Sequence, residues 1–434
     1  MWLTYLCFLA FLPIHEVLNF QLGFTVKPFH WFLFITASLF AVYSVLCYIQ
    51  KRKLPFRFSI LDGLLLIFIC SNVFSAILSN DIMGSVRLLV ALSFMCLSYL
   101  LTTHLITTNA RLNVALKVIA YSAFIASLFG LVQYIGFLLG FKTGLRFGFS
   151  WWFPRLHSTM QEPAFFANYL LIVLPILLSY WYDRNYNLFP VRRLFCLLGI
   201  IILALFFTLS KGTFAALAML FPLLLLRKGI GFNFKRVRLF VILGGALLFV
   251  IGSWLMTKSQ NKNSTFSAQY ILTESFLNNK QGAYAQRREF NATAWKMILD
   301  NIWFGVGPYN YTNRYDEYKP NFAMLSGNVT RLIPNNLIMN LWAENGVFGL
   351  LSFLAILGYV FFQSFRLLWH LQPFSFEYST ALGLSYGFLA MNVQYLFSAY
   401  FYYPHYWVLL GLLVCTWRLY NHDNAAITLK CRNS

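Results

Sequence analysis

Apolar runs of about 18 residues or more recur along this chain from end to end, each long enough to cross the hydrocarbon core of a bilayer as a helix. Inside that core every backbone N–H and C=O must find its partner within the protein, which a helix provides along its own length. Of the 434 residues, 59% are hydrophobic and 11% are charged, whereas a soluble domain carries about 25% charged residues. The expected fold is therefore all-α: a polytopic integral membrane protein forming a single membrane domain over residues 1–434. No separate soluble domain is left to assign.

About twelve spans are expected from length and hydropathy. They fall near Trp2–Phe20, Trp31–Gln50, Ser59–Leu78, Val86–Leu105, Val114–Leu139, Ala164–Tyr182, Leu194–Leu209, Thr213–Leu226, Leu239–Met256, Asn336–Phe365, Tyr378–Leu396 and His405–Leu419. The first run has no basic segment before it and no small-residue cleavage site, so it reads as a span and not as a cleaved leader. The seventh and eighth are separated only by Ser210-Lys211-Gly212. A polar break of that kind at membrane depth is tolerated where it lines a cavity.

The net charge of +20 does not point to nucleic acid. Lys and Arg accumulate in the short cytoplasmic loops of membrane proteins. One set of short loops holds Lys51, Arg52, Lys53, Arg57, Arg111, Arg184, Arg192, Arg193 and the Arg227–Arg238 cluster, and the C-terminal tail adds Lys430 and Arg432. That face is expected to be cytoplasmic, with both termini inside. The seven cysteines lie in expected spans or in the C-terminal tail, without metal-ligand spacing. Neither a disulfide, a metal nor a cofactor is expected.

Between the ninth and tenth spans lies the one long polar stretch, residues 257–335, assigned to the outer face with short helices of its own. Within it Ala283–Asp300 reads as an amphipathic helix, with Phe290, Ala294, Met297 and Ile298 at helical spacing. Asn301 to Pro308, with two glycines and a proline, breaks it.

Several cations share that outer face. Arg155 precedes the sixth span, Lys211 sits in the polar break, and Arg287 and Arg288 open the loop helix. Arg grips a phosphate through two parallel hydrogen bonds and Lys adds a compact charge, so together they suit a lipid-linked diphosphate. The alternative use of such residues is interfacial anchoring. Glu162 and Glu344 are the acids nearest membrane depth, where an ionisable group is a functional candidate; the other role for Glu344 is to pair with an Arg and hold it. His157 lies beside Arg155, and His405, at the outer end of the last span, reads as a packed histidine.

These segments resemble a known family. Arg155, Thr159, Glu162-Pro163 and Phe166-Ala167-Asn168-Tyr169-Leu170 are similar, in order and spacing, to the segment before a central span of bacterial O-antigen polymerases and ligases. Leu209-Ser210-Lys211-Gly212 resembles that family's Ser-Arg-Gly turn, with Lys for Arg. Trp295 followed by Gly305-Val306-Gly307-Pro308-Tyr309-Asn310 resembles a further motif, and Asn336 to Leu350 a fourth. The resemblance covers Arg155 to Phe365. It implies a multi-pass enzyme of the bacterial inner membrane with a periplasmic site and a metal-independent glycosyltransferase activity. Its donor would be an oligosaccharide on undecaprenyl diphosphate. A lipid-linked acceptor, a chain-length regulator and a flippase are the implied partners.

On this resemblance Arg155, Lys211, Arg288 and Glu162 are the catalytic candidates, and Arg287, His157, Asn335, Asn336 and Glu344 the substrate-binding ones. In the ligase branch a His stands where this chain has Asn335, and Asn-Pro is commoner than Glu162-Pro163; both departures lean toward a polymerase. The loop would close over the site and exclude water. The alternatives are a ligase moving glycan from undecaprenyl diphosphate to lipid A core, and a lipid or glycan transporter. A transporter usually shows broken helices in paired positions, and only one break is found.

Overall fold

The computed structural model describes all residues except 16–18, 22–24, 53–54, 57, 140–147, 151–152, 186, 226–282, 321–332, 400 and 433–434. The expected ninth span, Leu239–Met256, and residues 257–282 and 321–332 of the long loop lie outside the described residues. The chain runs α1 (Trp2–Ala10), the strand pair β1 (Phe20–Gln21) and β2 (Thr25–Val26), α2 (Pro28–Ile49), α3 (Ile60–Ile77), α4 (Ile82–Leu105) and α5 (Asn109–Leu138). Then come the strand pair β3 (Gly148–Ser150) and β4 (Phe153–Arg155), α6 (Pro163–Tyr182), α7 (Val191–Phe207) and α8 (Lys211–Leu225). After the undescribed stretch follow α9 (Ala283–Asp300), α10 (Tyr315–Tyr318), α11 (Leu337–His370), α12 (Phe376–Tyr395) and α13 (Pro404–Arg432). The fold is all-α apart from two minimal strand pairs. Among the described residues six helices (α2 to α6, and α11) are long and apolar enough to cross a membrane.

Helix starts are written in the sequence as capping residues. Ser59 and Asp62 form a reciprocal capping box at α3, so Asp62 is the helix-start acid its position suggests. Asp81, Thr108, Asn336 and Ser375 accept backbone N–H groups at the starts of α4, α5, α11 and α12.

The pair α6 and α12 forms the centre, antiparallel and in close contact. At one end Ser179 Oγ donates to Ser379 O (2.7 Å); at the other, Gln394 Nε2 donates to Ala164 O (2.8 Å) and Asn168 Nδ2 to Gln394 Oε1 (2.7 Å). Gly383 and Gly387, four apart on α12, permit the approach. A Cβ at Gly383 would stand 2.5 Å from Ile176 Cα, and one at Gly387 would stand 3.3 Å from Leu171 O. Small residues four apart let helix backbones touch where lipid gives no hydrophobic drive to associate.

One expectation fails at the N-terminus. Hydropathy predicts a full span over Trp2–Phe20, but α1 stops at Ala10. Its nine residues reach only about 13 Å at 1.5 Å per residue. Pro13 offers no backbone N–H to prolong it. Instead the chain is tied to the segment before α6: Thr159 Oγ1 donates to Pro13 O (2.6 Å) and His15 N to Thr159 O (3.0 Å).

Candidate functional site

The start of α6, the end of α7 and the start of α8 lie together at one end of the bundle. Arg155 Nε donates to Thr208 O (2.9 Å), and Leu156 N donates to Phe207 O (3.0 Å). Arg155 is thereby fastened to the last turn of α7, just ahead of the Ser210-Lys211 break. The following residues are non-helical yet buried, which is tolerable only if every polar group is matched. Ser158 Oγ donates to Ala126 O (2.6 Å), and His157 Nδ1 lies 2.6 Å from Met160 O. Ser158 (φ 54°) and Leu209 (φ 47°) both hold left-handed backbone, a conformation costing a non-glycine residue about 1–2 kcal/mol. Such strain persists where the surroundings over-determine it, and it concentrates at functional sites.

The helix expected over Ala283–Asp300 forms over those residues as α9. Phe290, Ala294, Met297 and Ile298 are buried against Val306, Tyr311, Tyr315 and Ala343, each of the large side chains contributing about 1.5–3 kcal/mol. The chain then doubles back along α11. Val306 N donates to Ala343 O (2.9 Å), Gly307 N to Glu344 O (3.0 Å) and Val347 N to Ile302 O (2.8 Å). α11 can offer these groups because it kinks at Gly346 (φ 67°). The same segment is pinned from its other side by the turn between α3 and α4. Asn310 donates to Ser79 Oγ and to Ser85 Oγ (3.0 Å), and Ser85 Oγ donates to Pro308 O (3.0 Å).

This scaffold brings Arg287 to the other two cations. Arg155 binds its proton less tightly than usual: burial is the main cause, Glu162 opposes it and Arg287 reinforces it. Lys211, at the break between helices, is lowered by burial, then by Arg287 and Arg155. Burial lowers Arg287 as well. Cations from three distant segments thus share one field, and an anion among them would relieve their mutual repulsion. The N-termini of α6 and α8 open at the same end and add partial positive charge.

Of the other candidates, Glu162 is exposed at the N-cap of α6 and electrostatically coupled to Arg155. Arg288 is exposed, and it is Arg287 of this pair that couples to both Arg155 and Lys211. His157 is buried among backbone groups. Asn336 is the N-cap of α11, accepting from Ile338 N (2.9 Å) and Met339 N (3.3 Å), with Asn335 half-buried before it. The Glu344 carboxylate accepts from Tyr311 N (3.2 Å) and Asn340 Nδ2 (3.4 Å). His405 is fully buried, with Nε2 3.0 Å from Asn168 Oδ1. Trp303 lies against Phe348 (ring centroids 6.0 Å apart), and Tyr311 is buried.

Sequence reasoning missed the supports. Buried Glu289 accepts from the Tyr315 hydroxyl, and Tyr311 OH donates to Phe290 O (2.7 Å). Burial and the Glu289 carboxylate both raise the Tyr315 hydroxyl, so it remains a donor. Tyr-x-x-x-Tyr after a Gly-Pro turn was a legible hint of a short helix. Its partner on α9 was not, because the contact crosses a turn of unknown geometry. Among curated proteins nothing matches the chain. Residues 195–354, holding the Ser210-Lys211 break, α9 and the first half of α11, match the family model described as O-antigen ligase, a match consistent with a membrane protein of the O-antigen polymerase and ligase family.

Proposed function

We propose that the protein is a glycosyltransferase that joins undecaprenyl-diphosphate-linked oligosaccharide repeats into a polysaccharide, at the periplasmic face of the bacterial inner membrane. The observation that supports this reading is the meeting of Arg155, Lys211 and Arg287 in one electrostatic field, beside apolar spans that would admit a polyprenyl tail. The donor diphosphate lies among these cations. An acceptor sugar hydroxyl attacks the anomeric carbon, the bond from that carbon to the diphosphate oxygen breaks, and undecaprenyl diphosphate leaves with the added negative charge. Fixed cations stabilise that charge as it develops, without a metal ion, because they need no reorganisation during the step. The hydroxyl proton passes to a general base. Glu162, exposed beside Arg155, suits that role better than buried His157.

Asn335 and the Glu162-Pro163 pair favour polymerase over ligase. The ligase reading, with lipid A core as acceptor, draws support from the description of the matching family model. A deletion strain separates the two: loss of a polymerase leaves single repeats attached to the core, and loss of a ligase leaves polymer on the carrier lipid. Chain extension by the purified protein in liposomes, with no ion gradient, tests the chemistry itself. Arg155→Ala, Lys211→Ala and Arg287→Ala are each expected to lose about 10²-fold or more in rate at unchanged protein level, the cost typical of removing one charge-stabilising donor. Arg288→Ala is expected to be milder. Full-length polymer from all three variants would overturn the mechanism.

A further inference from the structure

α9 has three faces, and the glycosyltransferase reading uses only part of it. Phe290, Ala294, Met297 and Ile298 bury against α11 and α10. Lys296 and Asp300 form an exposed polar edge. Between these lies a second apolar stripe that the described residues leave half open: Trp295, edge-on to Trp342 with ring centroids 6.0 Å apart, is still 48% exposed and Leu299 55%, one helical turn apart. The turn after the helix extends it with Ile302 (41%) and Trp303 (62%). An amphipathic helix needs one apolar face to fold onto a protein; a second calls for a second apolar surface.

The neighbourhood identifies that surface. Ile302 is hydrogen-bonded through its carbonyl to Val347, the first residue after the Gly346 kink, and the rings of Trp303 and Phe304 lie 6.0 and 5.5 Å from that of Phe348. From Phe348 onward α11 is a membrane-length apolar helix whose outer side, including Phe348 and Leu351, is exposed. The α9 stripe therefore continues the lipid-facing side of α11 at its upper end. Trp is the residue type enriched where hydrocarbon meets headgroups. Arg288 falls on the same helical face as Trp295 and Leu299, seven and eleven positions before them, and it too is exposed.

We propose that α9 lies in the outer interface of the bilayer, with Trp295, Leu299, Ile302 and Trp303 inserted at the boundary of headgroups and acyl chains and Arg288 among lipid phosphates. The occupant of this stripe is lipid. Arg287 precedes Arg288 by one position and turns toward the protein, about 12 Å along the helix axis from Trp295, so the inserted stripe sets its height. That consequence rests on the proposed function, under which Arg287 meets a diphosphate at headgroup level; the insertion itself does not.

The test is spin-label depth measurement on the full chain in nanodiscs of phosphatidylethanolamine and phosphatidylglycerol, in a background freed of accessible cysteines. Labels at Leu299→Cys and, separately, Trp303→Cys are expected to collide more with lipid-soluble oxygen than with a water-soluble nickel chelate. A label at Lys296→Cys is expected to show the reverse. Equal water exposure at 296, 299 and 303 would overturn the proposal. So would shielding of 299 and 303 from both reagents, which would mean that a second copy or another protein covers the stripe. Arg155→Ala and Lys211→Ala are expected to leave the depths unchanged, so the depth result stands apart from any result on transfer activity. Two label sites guard against a single misfolded variant.

Discussion

Gly346→Ala is expected to detach the 301–307 segment from α11 while leaving both helices formed. Three terms set the size. At φ 67° and ψ −171° an alanine is forced into backbone that essentially only glycine adopts, at about 1–3 kcal/mol. Its Cβ would stand 2.1 Å from Trp303 O and 2.3 Å from Trp303 C; these are backbone atoms, so no rotamer change makes room. Moving them breaks the bonds from Val306 to Ala343, Gly307 to Glu344 and Val347 to Ile302, worth about 1 kcal/mol each. The sum is about 4–6 kcal/mol, and at 1.4 kcal/mol per decade it corresponds to about 10³–10⁴ in an opening equilibrium. Hydrogen–deuterium exchange of the protein in nanodiscs reads it directly: protection at the amides of Val306, Gly307 and Val347 is expected to fall by that factor. Gly358→Ala is the control. A Cβ there meets nothing within 4 Å and the residue is ordinarily helical, so it is expected to be neutral or stabilising by up to about 1 kcal/mol. Protection in Gly346→Ala within threefold of the parent would refute the clamp.

Two further outcomes follow from the charges and from the pins. Lys211 releases its proton more readily in the folded chain than at the ordinary 10.5, so stability rises with pH between its depressed value and 10.5, while binding of an anion falls over the same window; the alkaline loss of transfer rate is expected to begin below 10.5 and to move upward in Lys211→Arg. Asn310→Ala leaves the Ser79 and Ser85 hydroxyls and the Asp81 carbonyl without their buried donor, and a loss of about 1–3 kcal/mol is expected in detergent thermal unfolding.

Spans, caps and the amphipathic α9 were legible because each is set by local periodicity. The length of α1 was not. Hydropathy carries past Pro13 without a change of sign, and the helix ends where Thr159, far along the chain, offers bonds to Pro13 and His15. For the site, Arg155, Lys211 and the Arg287–Arg288 pair are visible in the sequence as cations from separate segments. Their meeting depends on the Arg155 to Thr208 bond and on the packing of α9, which no spacing rule encodes. The choice of Arg287 over Arg288 turns on 100° of helix rotation, set by the burial of Phe290 and Ala294. Glu344 adds a role that its position near membrane depth did not suggest: its carboxylate holds the N–H of Tyr311.

Holding three cations in one field is unfavourable before any anion arrives, so the surroundings must supply the restraint. The supports in this chain are arranged to do so. Arg155 is fixed through its own guanidinium to the end of α7, and its neighbours Ser158 and Thr159 are bonded to α5 and to Pro13 in the segment after α1. Lys211 is fixed by being the first residue of α8, against which α12 packs at Gly212. Arg287 is held less directly, through α9, the Glu289–Tyr315 and Tyr311 bonds, and the 301–307 segment clamped between Gly346 and the α3–α4 turn. Donors fixed before the substrate arrives stabilise developing charge most effectively. The length of that third chain of contacts makes Arg287 the most easily displaced of the three. Substitutions in the clamp, which touch neither Arg155 nor Lys211, should then depress transfer through Arg287 alone. The diagnostic is non-additivity: Gly346→Ala should cost much less in rate in an Arg287→Ala background than in the parent, since residues acting through one another do not add.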